Sequence, residues 1–99
     1  MIDGMYYMEV DTPLGRKTAT VNIETQGSAL SVRVDAPIIG TQHAQGTVDG
    51  SSFKADGTVK IPLRGEIDFS VVGTVNDDET LVAQLKSKKG DLQLIGVRI

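Results

Sequence analysis

The 99-residue sequence predicts an all-β protein, an eight-stranded antiparallel up-and-down barrel in which the strands follow one another as a meander. Apolar and polar residues alternate with a period of two along most of the chain, which is typical of strands that bury one face. Segments rich in Gly, Pro, Asn and Asp interrupt this alternation at short intervals and indicate turns. The triplet Gly-Thr-Val recurs at 46–48, 57–59 and 73–75, each time inside an alternating run.

The first half of the chain contains four predicted strands. Each has an apolar residue at every second position, and each ends where glycine supplies a positive φ or proline fixes φ. The strands are about 4–11, 16–24, 29–36 and 41–48, and the turns that follow them are Thr12–Gly15, Gln26–Ser28, Pro37–Gly40 and Asp49–Ser51.

The second half repeats this arrangement. The strands are about 52–60, 66–75, 80–87 and 91–98, with turns at Pro62–Gly65, Asn76–Glu79 and Lys88–Gly90. Because all the turns are short, strands that are neighbours in sequence are expected to pair antiparallel. Pairing of the last strand with the first closes the barrel and removes its free edges. We therefore expect residues 1–99 to form one domain.

Alternation also assigns the two faces of every strand. The inward face includes four glycines, at 46, 57, 73 and 96, which we attribute to the bending of strands in a small barrel. The other residues predicted to point inward are Tyr6, Met8, Val10, Ala19, Val21, Ile23, Leu30, Val32, Val34, Ala44, Val48, Phe53, Ala55, Val59, Ile67, Phe69, Val71, Val75, Leu81, Ala83, Leu85, Leu92 and Leu94.

Composition excludes several kinds of site. The chain has no cysteine and one histidine, so that neither a disulfide framework nor a multi-histidine metal site is expected. The net charge of −3 argues against nucleic acid or an anionic membrane as the main partner. His43 lies at an outward position and is expected to be solvated, as is the acidic turn Asp77–Glu79, which lacks the ligand spacing of a calcium loop. No signal peptide or transmembrane helix is visible, and we expect a soluble cytoplasmic protein.

The ends of the predicted barrel carry a pattern with a known counterpart. Gly4-Met5-Tyr6 opens the first strand and Arg98 ends the last one. The chain resembles the small calycin-like barrels of the avidin and lipocalin kind, in which a basic residue of the last strand packs over an aromatic residue, usually tryptophan, of the first. The segment Gly46–Phe53 is similar to a hairpin pattern of uncharacterised bacterial β-barrel proteins. The resemblance implies a barrel that binds small apolar ligands and implies no catalytic residues or cofactor. For Tyr6 and Arg98 we expect a structural role at the barrel floor, with ligand binding by Arg98 as the alternative.

Charge separates the turns into two groups. The turns at 12–15, 37–40, 62–65 and 88–90 meet at one rim, which is rich in lysine and arginine, whereas the other rim is acidic. A basic rim with apolar residues suits an amphipathic anion whose tail enters the barrel. The residues predicted to bind such a ligand are Arg16, Lys17, Arg64, Lys88, Phe69 and Ile39.

The outward face is apolar in one place. Six residues on strands 6, 7, 8 and 1 break its polarity, and these strands are consecutive around a closed barrel. They are Met5, Tyr7, Val72, Val82, Ile95 and Val97, and we interpret them as a homodimer interface. A shift of one residue in register, or a partner domain, would also account for them.

Two functions follow from these patterns. The first is a non-enzymatic binding module for a small apolar or amphipathic anionic ligand. The alternative is a structural or oligomerisation domain with a filled barrel, which acts through the apolar outer face. An enzyme of calycin architecture would need an inward polar cluster, and the sequence offers only Arg98, Tyr6 and Gln42 for one.

Overall fold

The chain folds into a closed barrel of eight antiparallel strands in sequence order, as predicted. The computed structural model describes residues 2–12, 15–37, 40–61 and 65–99. The strands are β1 (Gly4–Thr12), β2 (Gly15–Gln26), β3 (Ala29–Ala36), β4 (Gly40–Asp49), β5 (Ser52–Ile61), β6 (Gly65–Val75), β7 (Thr80–Ser87) and β8 (Gly90–Arg98). Each predicted strand is present, with ends that differ by at most two residues. Over the described residues, no helix is long and apolar enough to cross a membrane.

The register of the strands fixes the width of the barrel. A path that starts at Met8 and passes from each residue to its cross-strand partner, with each ladder extended where needed, returns at position 18 after one turn around the barrel. The start and the end of this path differ by ten residues, and this difference is the shear of the barrel. With eight strands, this shear corresponds to strands tilted by about 40° and a backbone radius of about 8 Å. A barrel of this width is either filled by side chains or has room for one small ligand.

The interior contains the predicted apolar face. Tyr6, Ile23 and Leu81 are the largest fully buried side chains, and Phe53 and Phe69 are also buried. The described part of the chain contains no buried polar or charged residue. Burial therefore follows the alternation read from the sequence, which confirms the assignment of faces.

The inward glycines make room for large neighbouring side chains. A Cβ atom on Gly73 would lie 2.7 Å from the ring of Phe53, and one on Gly57 would lie 2.8 Å from the ring of Phe69. At Gly96 the space is taken by the sulfur of Met8, and at Gly46 by the carbonyl of Lys54. The glycines thus do more than allow the strands to bend, because they let aromatic rings and one thioether fill the middle of the barrel.

Candidate functional site: the two ends of the barrel

The N-terminal segment closes one end of the barrel. Ile2 is buried with 3% of its surface exposed, and its carbonyl accepts a hydrogen bond of 2.7 Å from the Tyr6 hydroxyl. Asp3 accepts hydrogen bonds from the backbone N–H of Thr25, at 2.9 Å, and from the Thr25 hydroxyl. These two bonds lower the pKa of Asp3 below its ordinary value. The segment is therefore fixed across the opening by both an apolar side chain and a carboxylate.

Arg98 covers the same end, as the sequence predicted for the barrel floor. Its guanidinium lies over the Tyr6 ring, 5.4 Å from the ring centroid, and Nη2 donates a hydrogen bond of 2.8 Å to the Tyr6 hydroxyl oxygen. Nη1 lies 3.7 Å from a carboxylate oxygen of Glu79. A Cβ on Gly4, whose φ is 146°, would lie only 3.3 Å from Arg98 Nε. The structure thus brings together the three residues of the Gly-x-Tyr and Arg pattern.

Backbone hydrogen bonds join the turns at this closed end to the next strands. The N–H of Val48 donates to the carbonyl of Ser28, and the N–H of Val75 to that of Ser51, each at 2.9 Å. The N–H of Arg98 donates to the carbonyl of Glu79 at 3.1 Å. Adjacent hairpins therefore remain attached to one another up to their turns.

At the opposite end β1 is followed by β2, β3 by β4, β5 by β6 and β7 by β8, and there the described residues of neighbouring hairpins are not paired with one another. We call this end the open end. The ladder between β4 and β5 stops at Ala44 and Gly57, and the ladder between β6 and β7 stops at Phe69 and Ser87. The β2–β3 and β8–β1 ladders stop short in the same way. The segments beyond these ladders are 11–12, 15–19, 40–43, 58–61, 65–68 and 90–93, and each pairs only within its own hairpin.

Inward side chains near the open end are partly exposed, in contrast to those near the closed end. The inward residues of this half that are only half-buried are Val10, Val34, Val59, Ile67, Leu85, Leu92 and Leu94. Near the closed end, Ile2, Tyr6, Ile23, Leu30 and Leu81 are all exposed by 3% or less. Val48, near the closed end, is also half-buried, so that among the described residues the open end has more apolar interior surface accessible to water than the closed end, but not all of it.

Several lysines surround the open end without an acidic partner. Among the described residues, salt bridges within 4.0 Å involve Arg16 and Lys60 at this end but none of Lys17, Lys86, Lys88 and Lys89. Lys17 is paired with Val10 and lies on the inward face of β2. It was not among the residues predicted to point inward. These four ammonium groups carry positive charge at the open end, where the exposed carboxylates of Asp68 and of Asp91, the cross-strand partner of Lys86, also lie.

Arg16 has a different environment from the one that its place near the rim indicated. It lies on the outer wall, where Nε is 2.9 Å from Asp11 and Nη1 is 3.0 Å from Glu9. The hydrogen bond and charge of Asp11, followed by the charge of Glu9, raise the pKa of Arg16. The sequence signal was available, because both carboxylates occupy outward positions on the strand that pairs with β2. Ile39 and Arg64, also predicted to bind a ligand, lie outside the described residues.

Phe69 and Lys88, two of the predicted ligand residues, lie beside one depression. This depression has a volume of about 630 Å³ on the outer wall, above the ends of β5, β6 and β7. Lys86 and Ser87 also line it, and it lies where the β6–β7 ladder stops. Asp56 and Asp68 at its border are engaged by the hydroxyls of Ser70 and Thr58.

The outer wall has the apolar surface that the sequence predicted. The exposed large hydrophobic residues are Met5, Tyr7, Val72, Val82, Ile95, Val97 and Ile99, with exposures between 38% and 70%. A groove of about 400 Å³ crosses part of this surface, lined by Tyr7, Ile95 and Val97 and by Glu9, Asp11 and Arg16. His43 is exposed on β4, and the described residues contain no group of three acidic or histidine side chains that could hold a metal.

No protein-family model matches this chain, and no curated protein or solved structure matches it significantly. What the structure shows is a closed barrel of eight antiparallel strands in sequence order, an architecture consistent with a calycin-like fold.

Proposed function

We propose that this protein is a calycin-like binding module for a small amphipathic anion, which enters at the open end. The observation that supports this proposal most directly is the difference between the two ends. One end is sealed by Ile2 and Arg98, whereas at the other the inward apolar side chains are half-buried. An apolar surface that is more accessible to water at one end of the barrel, near lysines that form no salt bridge among the described residues, suits a ligand with an apolar body and an anionic group.

The lysines support an anionic rather than a neutral ligand. Lys86 and Lys88 flank the point where β6 and β7 separate, and Lys17 lies on the inward face at the same end. In the described part of the chain none of the three is within salt-bridge distance of a carboxylate. A bound carboxylate, sulfonate or phosphate would supply the missing counter-charge.

The filled middle of the barrel limits the size of the ligand. Phe53 and Phe69 occupy the space over Gly73 and Gly57, and Met8 occupies that over Gly96. An apolar group therefore reaches only the half of the interior near the open end. We infer a compact aromatic or short-chain acid rather than a long fatty acid.

The experiment is a titration with 8-anilinonaphthalene-1-sulfonate, an aromatic anion that fluoresces in apolar surroundings, followed by displacement with short-chain and aromatic acids. We expect micromolar binding that Lys86→Ala/Lys88→Ala weakens by about tenfold, because two counter-charges are lost. The matched control is Arg33→Ala/Lys54→Ala, which removes the same charge from the outer wall elsewhere and is expected to leave binding unchanged. Equal loss in both double variants, or no saturable binding by the wild type, would contradict the proposal.

A further inference from the structure

The seven exposed hydrophobic residues form one continuous surface, which we call the apolar face. It consists of Met5, Tyr7, Val72, Val82, Ile95, Val97 and Ile99. Six of them lie on β6, β7, β8 and β1, which are consecutive in the closed barrel, and Ile99 directly follows β8. The described outward positions of β2 to β5 carry no exposed large hydrophobic residue, so the apolar surface is confined to one side.

The apolar face is large enough for a stable dimer. From the fractional exposures, its side chains leave roughly 600 Å² of apolar surface in water, the upper limit for the largest patch of a typical monomer. A specific interface takes about 800 Å² from each partner, including a polar border. The adjacent Thr20, Thr80 and Gln93 provide such a border.

The apolar face has two halves of different shape. On the β8–β1 half, Tyr7, Ile95 and Val97 line the groove of about 400 Å³. On the β6–β7 half, Val72 and Val82 lie near each other on adjacent strands, because Val82 is paired with Thr74, two residues from Val72. A concave half and a half that bears two exposed valines are complementary when they belong to different copies.

We propose that the apolar face binds a second copy of this chain, about a two-fold axis that runs parallel to the strands between β7 and β8. This axis places the β6–β7 half of each copy against the β8–β1 half of the other. Val72 and Val82 of one copy then enter the groove of its partner, twice, in an isologous contact. The inference concerns the outer wall and is independent of the ligand proposed for the open end.

The test is sedimentation equilibrium of the 99-residue chain over a range of concentrations. The wild type is expected to dimerise with a micromolar dissociation constant, and Val97→Asp or Val82→Asp to be monomeric. Gln45→Asp, on the far wall, is expected to leave the dimer unchanged. Circular dichroism establishes that each variant is folded. A wild type that stays monomeric overturns the proposal, and so does a dimer that neither aspartate variant weakens. Binding of the wild-type monomer to phosphatidylcholine vesicles, lost in Val97→Asp, would assign the face to a membrane instead.

Discussion

At the scale of single residues, the inward glycines are the positions where one added methyl group is least tolerated. A Cβ on Gly46 would overlap the backbone carbonyl of Lys54 and come within 2.7 Å of the Ala55 Cα, and backbone atoms of a paired strand cannot move aside. We predict that Gly46→Ala lowers the free energy of unfolding by about 2–4 kcal/mol. The neighbouring exposed Gln45→Ala should change it by less than about 0.5 kcal/mol.

Gly96→Ala provides the comparison within the same denaturation series. There the added methyl group would meet the Met8 sulfur, which is the flexible end of a side chain, although the Tyr7 carbonyl lies 2.8 Å away. The loss should be smaller than at Gly46, because Met8 can adjust. If both substitutions lower the free energy of unfolding equally, then it makes no difference whether the added methyl group meets backbone atoms or a flexible side chain.

A second prediction at this scale concerns two adjacent tyrosines. The Tyr6 hydroxyl is buried, donates to the carbonyl of Ile2 and accepts from Arg98, whereas Tyr7 is 40% exposed on the outer wall. Tyr6→Phe leaves both partners without this hydroxyl, and we predict a loss of about 1–3 kcal/mol in unfolding free energy. Tyr7→Phe is the matched control and should be nearly neutral. Chemical denaturation measures both; similar effects would mean that the hydroxyl of Tyr6 is not structurally important.

At the scale of elements, the N-terminal segment responds to acid through Asp3. Its pKa is lowered in the folded state by the hydrogen bonds from Thr25, so that its contribution to stability is present above the ordinary Asp pKa of about 3.9. That contribution is lost as the pH falls through the lower, folded-state pKa. We predict that wild type exceeds Asp3→Asn in stability at neutral pH and that this difference vanishes in acid.

The measurement is thermal unfolding of both proteins between neutral pH and pH 2, with the Asp3 carboxyl shift followed by NMR. Asp49→Asn, at the same end of the barrel, is the control, because its carboxylate accepts no side-chain hydrogen bond among the described residues. A difference between wild type and Asp3→Asn that persists at the lowest pH would contradict the assignment.

The strands could be predicted because residues close together in the sequence determine where a strand runs and which of its faces is buried. A period of two, together with turn residues such as those of 49–51, determines where strands begin and end and which face is buried. The Gly4, Tyr6 and Arg98 pattern likewise predicted the closed end. What the sequence could not predict is where the ladder between neighbouring hairpins stops, because this depends on the register around the whole barrel and not on any one strand. The ion pairs of Arg16 with Asp11 and Glu9 lie within the β1–β2 hairpin and could have been predicted from its register.

At the scale of the whole molecule, the two ends differ in how strongly they resist opening. Near the closed end, backbone hydrogen bonds join adjacent hairpins up to their turns, and the apolar core surrounds Tyr6, Ile23 and Leu81. Near the open end, residues 15–19, 58–61 and 65–68 pair on one side only. Segments with few buried contacts and exposed hydrogen bonds open at a lower free energy than the core.

We therefore predict a gradient of amide hydrogen exchange along the barrel axis. Amides of Tyr6, Ile23 and Leu81 should exchange at least about a hundredfold more slowly than those at 15–19, 58–61 and 65–68. Two-dimensional NMR in deuterated buffer measures both groups in one sample. Uniform protection from end to end would contradict the open end and, with it, the entrance that the proposed ligand binding requires. Because a bound anion would cross-link separated hairpins, 8-anilinonaphthalene-1-sulfonate should slow exchange at 65–68 and leave Tyr6 unchanged.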